Sequence, residues 1–245
     1  MIIETILESL SDGEVKAVCV GLHWTAVTVE VNGERRCGLA STLSSGHHHG
    51  SGPQIPRAGY LEEFSARQLA GFSLHESPAM VSVGMAAINA LLPGNFQFTS
   101  EANAEQLILN NGLGKRVALV GHFPFVPQLR EKLEHLDVLE LDPQPGDLPA
   151  SMAPDVLPRA DVAAITAMTL FNGTLESMLE LCSPGAFVIL LGPSAPLTPL
   201  LFDFGIDVIS GALVTTEEPV IKTIMQGGNF RQVHRAGIRL VNLSK

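Results

Sequence analysis

The sequence predicts an α/β protein in two parts: an α+β unit built on an antiparallel meander with helices, then a parallel-sheet unit of Rossmann type. Three observations carry this. Val-rich runs cluster ahead of residue 43 around an Asn-Gly pair. From Lys115 onward, short apolar runs alternate with helical stretches. Between the two regimes stands Gly112-Leu113-Gly114. That triplet sets the expected boundary, with one domain over residues 1–112 and the other over 113–245.

The first unit opens with a helix that places Ile3, Ile6, Leu7 and Leu10 on one face. "VKAVCVGLHW" and "TAVTVEV" read as strands, and Asn32-Gly33 turns the second into "ERRCGLAST". Asn-Gly is a strong hairpin signal because both turn positions need positive φ. "YLEEFSARQLAGF" is a helix candidate, and Ser77-Pro78 starts another with Ser as N-cap and Pro in the first turn. That helix, "AMVSVGMAAINALL", is apolar almost all round and so should be buried. "EANAEQLILNN" is a third.

In the second unit the expected strands are "RVALVG", "DVLELD", "DVAAIT", "AFVILLG" and "DVISG". Between them lie the helix "VPQLREKLEHL", a Pro-rich connection, the helix "NGTLESMLELC" and a short helix "TPLLFDFG". Short buried strands alternating with helices mean a parallel sheet. Ligands then sit outside the carboxyl ends of the strands. The residues on that rim are Gly121-His122, Asp142, Thr166 to Thr174, Gly192-Pro193-Ser194 and Ser210-Gly211.

Composition narrows the function classes. Charged residues are 16% of the 245 and hydrophobic ones 46%, with a mean hydropathy of +0.26. Average chains carry about 25% charged residues, so apolar surface covered by a second copy is expected, a homo-oligomer. A net charge of −10 argues against a nucleic-acid partner, which requires a basic face. No apolar run approaches the roughly 18 residues of a membrane span, and "MIIETILESLSD" lacks the basic start of a signal peptide. Cys19, Cys37 and Cys182, odd in number and widely spaced, suit reduced thiols in a cytoplasm.

The turn after "RVALVG" holds one glycine and then "HFPF", so it lacks the spaced glycines that let a backbone approach a pyrophosphate. Asp142, 21 residues beyond Gly121, stands where a ribose-binding acid would. "TAMTLFNGTLE" is the densest polar set at any strand end. Thr169, Asn172 and Thr174 suit carboxylate or phosphate oxygens, or cap the following helix. No Gly-x-Ser-x-Gly elbow, His-Glu-x-x-His or Cys-rich zinc spacing occurs. His47, His48 and His49, in "SSGHHHGSG", form a metal site, an active-site loop or a surface loop.

At this point the residues carry a likeness. "AAINALL", "NAEQLILNNGLGKRVALVGHFPF", "ADVAAITAMTLFNGTLESML" and "GPSAPLTPLLFDFGIDVISG" together resemble the putative heavy-metal chelation family of prokaryotes. The likeness covers nearly the whole chain. It implies an enolase N-terminal-like domain joined to a Rossmann-like domain, with a ligand in the cleft between them. Carried over by motif, the implied ligand-binding residues are Asn103, Gly121, His122, Phe123, Thr169, Asn172, Thr174 and Ser194. The implied cargo is a small anionic ligand, a divalent transition metal or a metal complex, with His47, His48, His49 and His122 as metal ligands. The competing expectation is an enzyme using S-adenosylmethionine or a nucleotide, with His122 as acid or base.

Overall fold

The computed structural model describes residues 1–43, 55–94 and 103–245. Its first sheet is the expected meander, β1 (Glu14–Val20), β2 (Trp24–Val31) and β3 (Glu34–Ser41), all antiparallel. Asn32 and Gly33 both take positive φ, 52° and 79°, which closes the β2–β3 hairpin as the dipeptide requires. β2 is buried at every position but Glu30. A strand of that kind must be covered on both faces, and two sets of helices do so.

One face meets α1 (Ile2–Ser9), α2 (Ala66–Gly71) and α3 (Pro78–Leu91). The α3 helix is buried all round, as its apolar sequence predicts. It lies so close to β3 that a Cβ on Gly38 would sit 2.1 Å from the Ala86 carbonyl oxygen. "YLEEFSARQLAGF" forms a 3-10 turn at Leu61–Glu63 and then α2. Its break comes at Ser65, which caps α2 through a reciprocal bond pair with Gln68.

The second unit runs α4 (Ala104–Gly112), β4 (Arg116–Val120), α5 (Val126–Lys132), β5 (His135–Glu140), β6 (Leu148–Pro149), α6 (Ala153–Val156) and β7 (Val162–Thr166). It continues through α7 (Met168–Phe171), α8 (Leu175–Leu181), β8 (Phe187–Leu191) and β9 (Val208–Val214). "TPLLFDFG" forms a 3-10 segment, Pro199–Phe204, rather than an α-helix. Beyond Gly211 stand three elements without a sequence expectation: α9 (Glu217–Met225), α10 (Phe230–Gly237) and β10 (Ile238–Ser244).

The strand order is β10-β9-β8-β7-β4-β5-β6, parallel except for β10. From β4 the chain builds outward through β5 and β6, then returns to β7 on the opposite side of β4. The order therefore reverses between β4 and β7, and ligands in such sheets settle at that switch point.

The unexpected C-terminal helices complete the first unit. Val220, Ile224 and Val233 pack with Trp24, Ala26 and Leu39 on the second face of the meander. The Phe230 ring packs against Trp24 with centroids 5.2 Å apart and planes tilted by 45°. Across the same seam, Glu217 takes two hydrogen bonds from Arg35 and one from Thr28. No helix among the described residues is long and apolar enough to cross a membrane.

Candidate functional site

Two clefts open at the carboxyl ends of the parallel strands. The larger, about 470 Å³, is lined by Trp24, Phe125, Leu191, Phe230 and Leu240 among others, with Asn103 and Glu105 at the start of α4. The smaller, about 320 Å³, lies at the switch point and takes in Gly121, His122, Glu140, Thr166, Asn172 and Thr174. Size favours the first cleft and chemistry the second. Its walls hold the imidazole of His122 beside an acid, hydroxyls and an amide; the larger cleft also carries Asn103, Glu105, Gln128 and Ser210 among its aromatic and aliphatic residues, but no histidine.

The switch-point crevice gathers most of the residues expected from sequence. Gly121 ends β4 with φ +100°, and its amide donates to the Leu139 carbonyl at 2.8 Å. A Cβ there would lie 3.1 Å from that of Thr166 across the crevice floor. Glycine is therefore required both by the backbone conformation and by the close approach of β7. The turn aims His122 at the neighbouring strand end, where its amide donates to Glu140 Oε2 at 2.7 Å.

The ring of His122 is fixed from behind. Its Nδ1 lies 2.7 Å from Oδ2 of Asp147, whose side chain is fully buried. Asp147 also accepts from Arg130 Nη2 at 2.7 Å and from the Gln144 amide at 3.0 Å. Burial works to raise the Asp147 pKa; the bonds from His122 and Gln144 and the nearby Arg130 charge outweigh it, holding the carboxyl below its usual range. Asp147 offers only acceptors, so Nδ1 is the ring nitrogen that donates to it; the matching neutral tautomer has its lone pair on Nε2.

Asp147, Arg130 and Glu140 had no sequence expectation. A signal for Asp147 was present: Gln144-Pro145-Gly146-Asp147 is a turn closed by Asp147 N–H to Gln144 O at 2.9 Å. Gly146 takes φ +89° in it. Pro then Gly at the two central positions marks such a reversal, and it returns the chain to the end of β4. The strand "DVLELD" ends at Glu140 instead of Asp142, because β5 pairs with β4 starting from His135. Asp142 is thus exposed on the following loop. Glu140 stands at the strand end, with its two oxygens taken by the His122 and Leu141 amides.

The other expected residues divide. Thr169 lines the crevice, but its hydroxyl donates to the Thr166 carbonyl at 2.6 Å. Asn172 Oδ1 accepts from the Thr174 hydroxyl at 2.6 Å. Thr174 is the N-cap residue of α8 and makes no side-chain capping bond. Phe123 borders both clefts and stacks on Phe125 at 5.2 Å. Asn103 lines the larger cleft and caps α4 by accepting from the Gln106 amide at 2.9 Å. Ser194 is buried and sutures the two units: its hydroxyl accepts from the Ser41 amide at 2.9 Å, and its carbonyl from Asn89 at 3.2 Å.

His47, His48 and His49 lie outside the described residues. The chain before them is tied down by a bond from the Leu43 amide to Ser82 on α3 at 2.8 Å, and α3 packs on α7. Among the described residues no group of three or more His, Cys, Asp or Glu side chains could hold a metal ion. In the crevice, the described residues offer one anchored imidazole, which by itself is too few ligands to hold a bare metal ion.

An α/β protein with an antiparallel meander, a separate mostly parallel sheet and a polar crevice at the switch point is the class that fold and site define. The chain belongs to the family described as "Putative heavy-metal chelation". Its two models match residues 3–92 and 103–242, the latter under the name DUF364. An uncharacterized protein of Methanocaldococcus jannaschii is 31% identical over 217 residues, 84% of this chain and 81% of its own length. A crystal structure of a DUF364 protein of unknown function from Desulfitobacterium hafniense superposes with TM-score 0.84 at 26% identity. It covers 100% of this chain and 98% of its own. Another, from Pyrococcus horikoshii, shares the fold with TM-score 0.81 at 22% identity over the same shares.

Proposed function

We propose that the chain binds a heavy-metal ion or a small metal complex in the switch-point crevice, with His122 as the metal-facing residue. The observation that carries this is the His122 ring, held through Nδ1 by a buried carboxylate. Metal-ligating histidines almost always give their second ring nitrogen to such a partner, which fixes the ring and raises its basicity. The family description supports the cargo. His47, His48 and His49 enter the proposal as further donors, because Leu43 is tied to α3 beside an element that lines the crevice. Self-association belongs to the same reading: Val20, Leu22 and Met225 are exposed apolar residues, which supports apolar surface for a second copy.

Metal content after native purification, followed by calorimetric titration with Ni²⁺ and Zn²⁺, tests the cargo. Asn172→Trp tests the place, since Asn172 is exposed at the crevice and a large ring there fills the opening without disturbing the core. Binding should weaken at least about tenfold in this variant. Unchanged binding would move the site elsewhere.

A further inference from the structure

The larger cleft lies outside the metal reading, and among the described residues it shares only Phe123 with the switch-point crevice. We infer that it is a second ligand site, which takes the base of an uncharged nucleoside. Three observations lead here, from the walls, the polar edge and the charge of the cleft.

The walls are aromatic and come from both units. Phe123 and Phe125, in the turn after β4, stack with centroids 5.2 Å apart and planes within 11° of parallel. Trp24 at the start of β2 and Phe230 at the start of α10 form a second pair, also 5.2 Å apart. All four rings line one cleft, and Leu191 and Leu240 add apolar contact. Such surfaces reward a flat π-system, which gains stacking beyond the burial of its area. A volume of about 470 Å³ falls within the range of small-molecule sites.

The polar edge mixes donors and acceptors. Asn103 spends its Oδ1 on the Gln106 amide at 2.9 Å, which leaves Nδ2 as a donor. Glu105 Oε1 lies 3.6 Å from Lys132 Nζ, beyond hydrogen-bond length, so the carboxylate keeps its capacity to accept. Gln128 offers both functions and Ser210 a hydroxyl. A hydrocarbon ligand would cover these groups without partners, which is costly. A nucleobase has the flat face for the rings and, at its edge, N–H donors and ring acceptors for the polar groups.

Charge decides between a nucleoside and a nucleotide. No lysine, arginine or histidine lines the cleft, and Glu105 does. A phosphate would meet no cation and one carboxylate. The base is therefore accepted without a phosphate, which separates this site from a nucleotide pocket.

The test reads the fluorescence of Trp24, the one tryptophan of the chain. Adenosine, guanosine, cytidine and uridine are titrated into the full-length protein, each beside its 5′-monophosphate. At least one nucleoside should change the emission saturably, with a dissociation constant below about 1 mM. Its monophosphate should bind at least about tenfold more weakly, as like charges brought together disfavour binding. Phe125→Leu keeps apolar bulk but removes the ring face, and should weaken the nucleoside about fivefold or more. Glu105→Gln removes the repelling charge and should narrow the gap between nucleoside and monophosphate to about threefold or less. Gln128→Arg, at an exposed position, should tighten the monophosphate about tenfold by supplying the absent cation. Circular dichroism checks the fold of each variant. No saturable response to any of the four nucleosides overturns the inference. So does a monophosphate that binds the parent protein as tightly as its nucleoside, or an affinity for the nucleoside and a gap that stay unchanged in both Phe125→Leu and Glu105→Gln. None of these outcomes bears on metal binding at His122, which is measured separately.

Discussion

His122 and Asp147 are 25 residues apart and meet at 2.7 Å because two backbone reversals aim them at each other. One is the positive-φ Gly121 and the other the turn through Pro145-Gly146. The histidine was legible in sequence, since a strand end in an alternating pattern can be located and the residue after it read off. Its partner was not, because it lies in a Pro-rich connection whose path depends on contacts distant in sequence, among them Arg130 to the Gly146 carbonyl. The same limit misdirected attention to Asp142: periodicity gives a strand's existence but not its register, and β5 starts two residues earlier than "DVLELD" suggested. At this scale the thiols give a clear prediction. Burial pushes Cys37 up to about 12 and Cys182 up to about 11, and raises Cys19 as well. Only the thiolate attacks, so Ellman's reagent near neutral pH should react slowly with the native protein and quickly with all three thiols after unfolding. A fast equivalent in the native state would contradict the burial described.

Among the elements, α3 and the meander were the most legible because their patterns are extreme. A helix apolar on every side has to be buried, and Asn-Gly between Val-rich runs has to turn. What the pattern did not supply was the cover for the second face of β2. Continuous burial there called for a partner, and the partner came from α9 and α10, more than 180 residues along the chain. α10 is strongly amphipathic with Val233 buried, so its periodicity is present in the sequence, but a periodic pattern does not say which distant sheet face the helix covers. Two substitutions probe the α3 contact. Met85→Ala, at a fully buried site, should cost about 2–5 kcal/mol of stability, measured by denaturant unfolding. Gly38→Ala drives a methyl into the α3 backbone and should cost about 3 kcal/mol or more. A neutral result at Gly38 would mean that β3 and α3 can separate freely.

At the scale of the whole molecule, the two expected units share their interior. The largest core cluster runs from Ile2, Ile6 and Val27 through Ala118 and Ile165 to Leu243. The chain should therefore unfold in one calorimetric transition, and residues 1–112 expressed alone should expose Trp24 and aggregate for want of α9 and α10. Two separate transitions would restore independent domains. The Arg35–Glu217 seam adds a pH signature. Hydrogen bonds from Arg35, aided by Thr28 and opposed by burial, hold the Glu217 carboxyl below its ordinary value of 4.5. Its contribution is then fully present above that ordinary value and is lost as pH falls through the lower folded one. Glu217→Gln should be less stable than the parent at neutral pH, with the difference shrinking in acid; a constant difference would remove the ion pair from the account. The fold class was legible because alternation and burial are properties of long segments, while the site depended on a few contacts between distant loops. The most direct measurement is anomalous diffraction at the nickel edge from crystals soaked in a Ni²⁺ salt. The account predicts a strong peak about 2 Å from His122 Nε2, the usual metal–imidazole distance, that disappears from that position in His122→Ala. A peak in the larger aromatic cleft, or elsewhere with His122 unengaged, would contradict it.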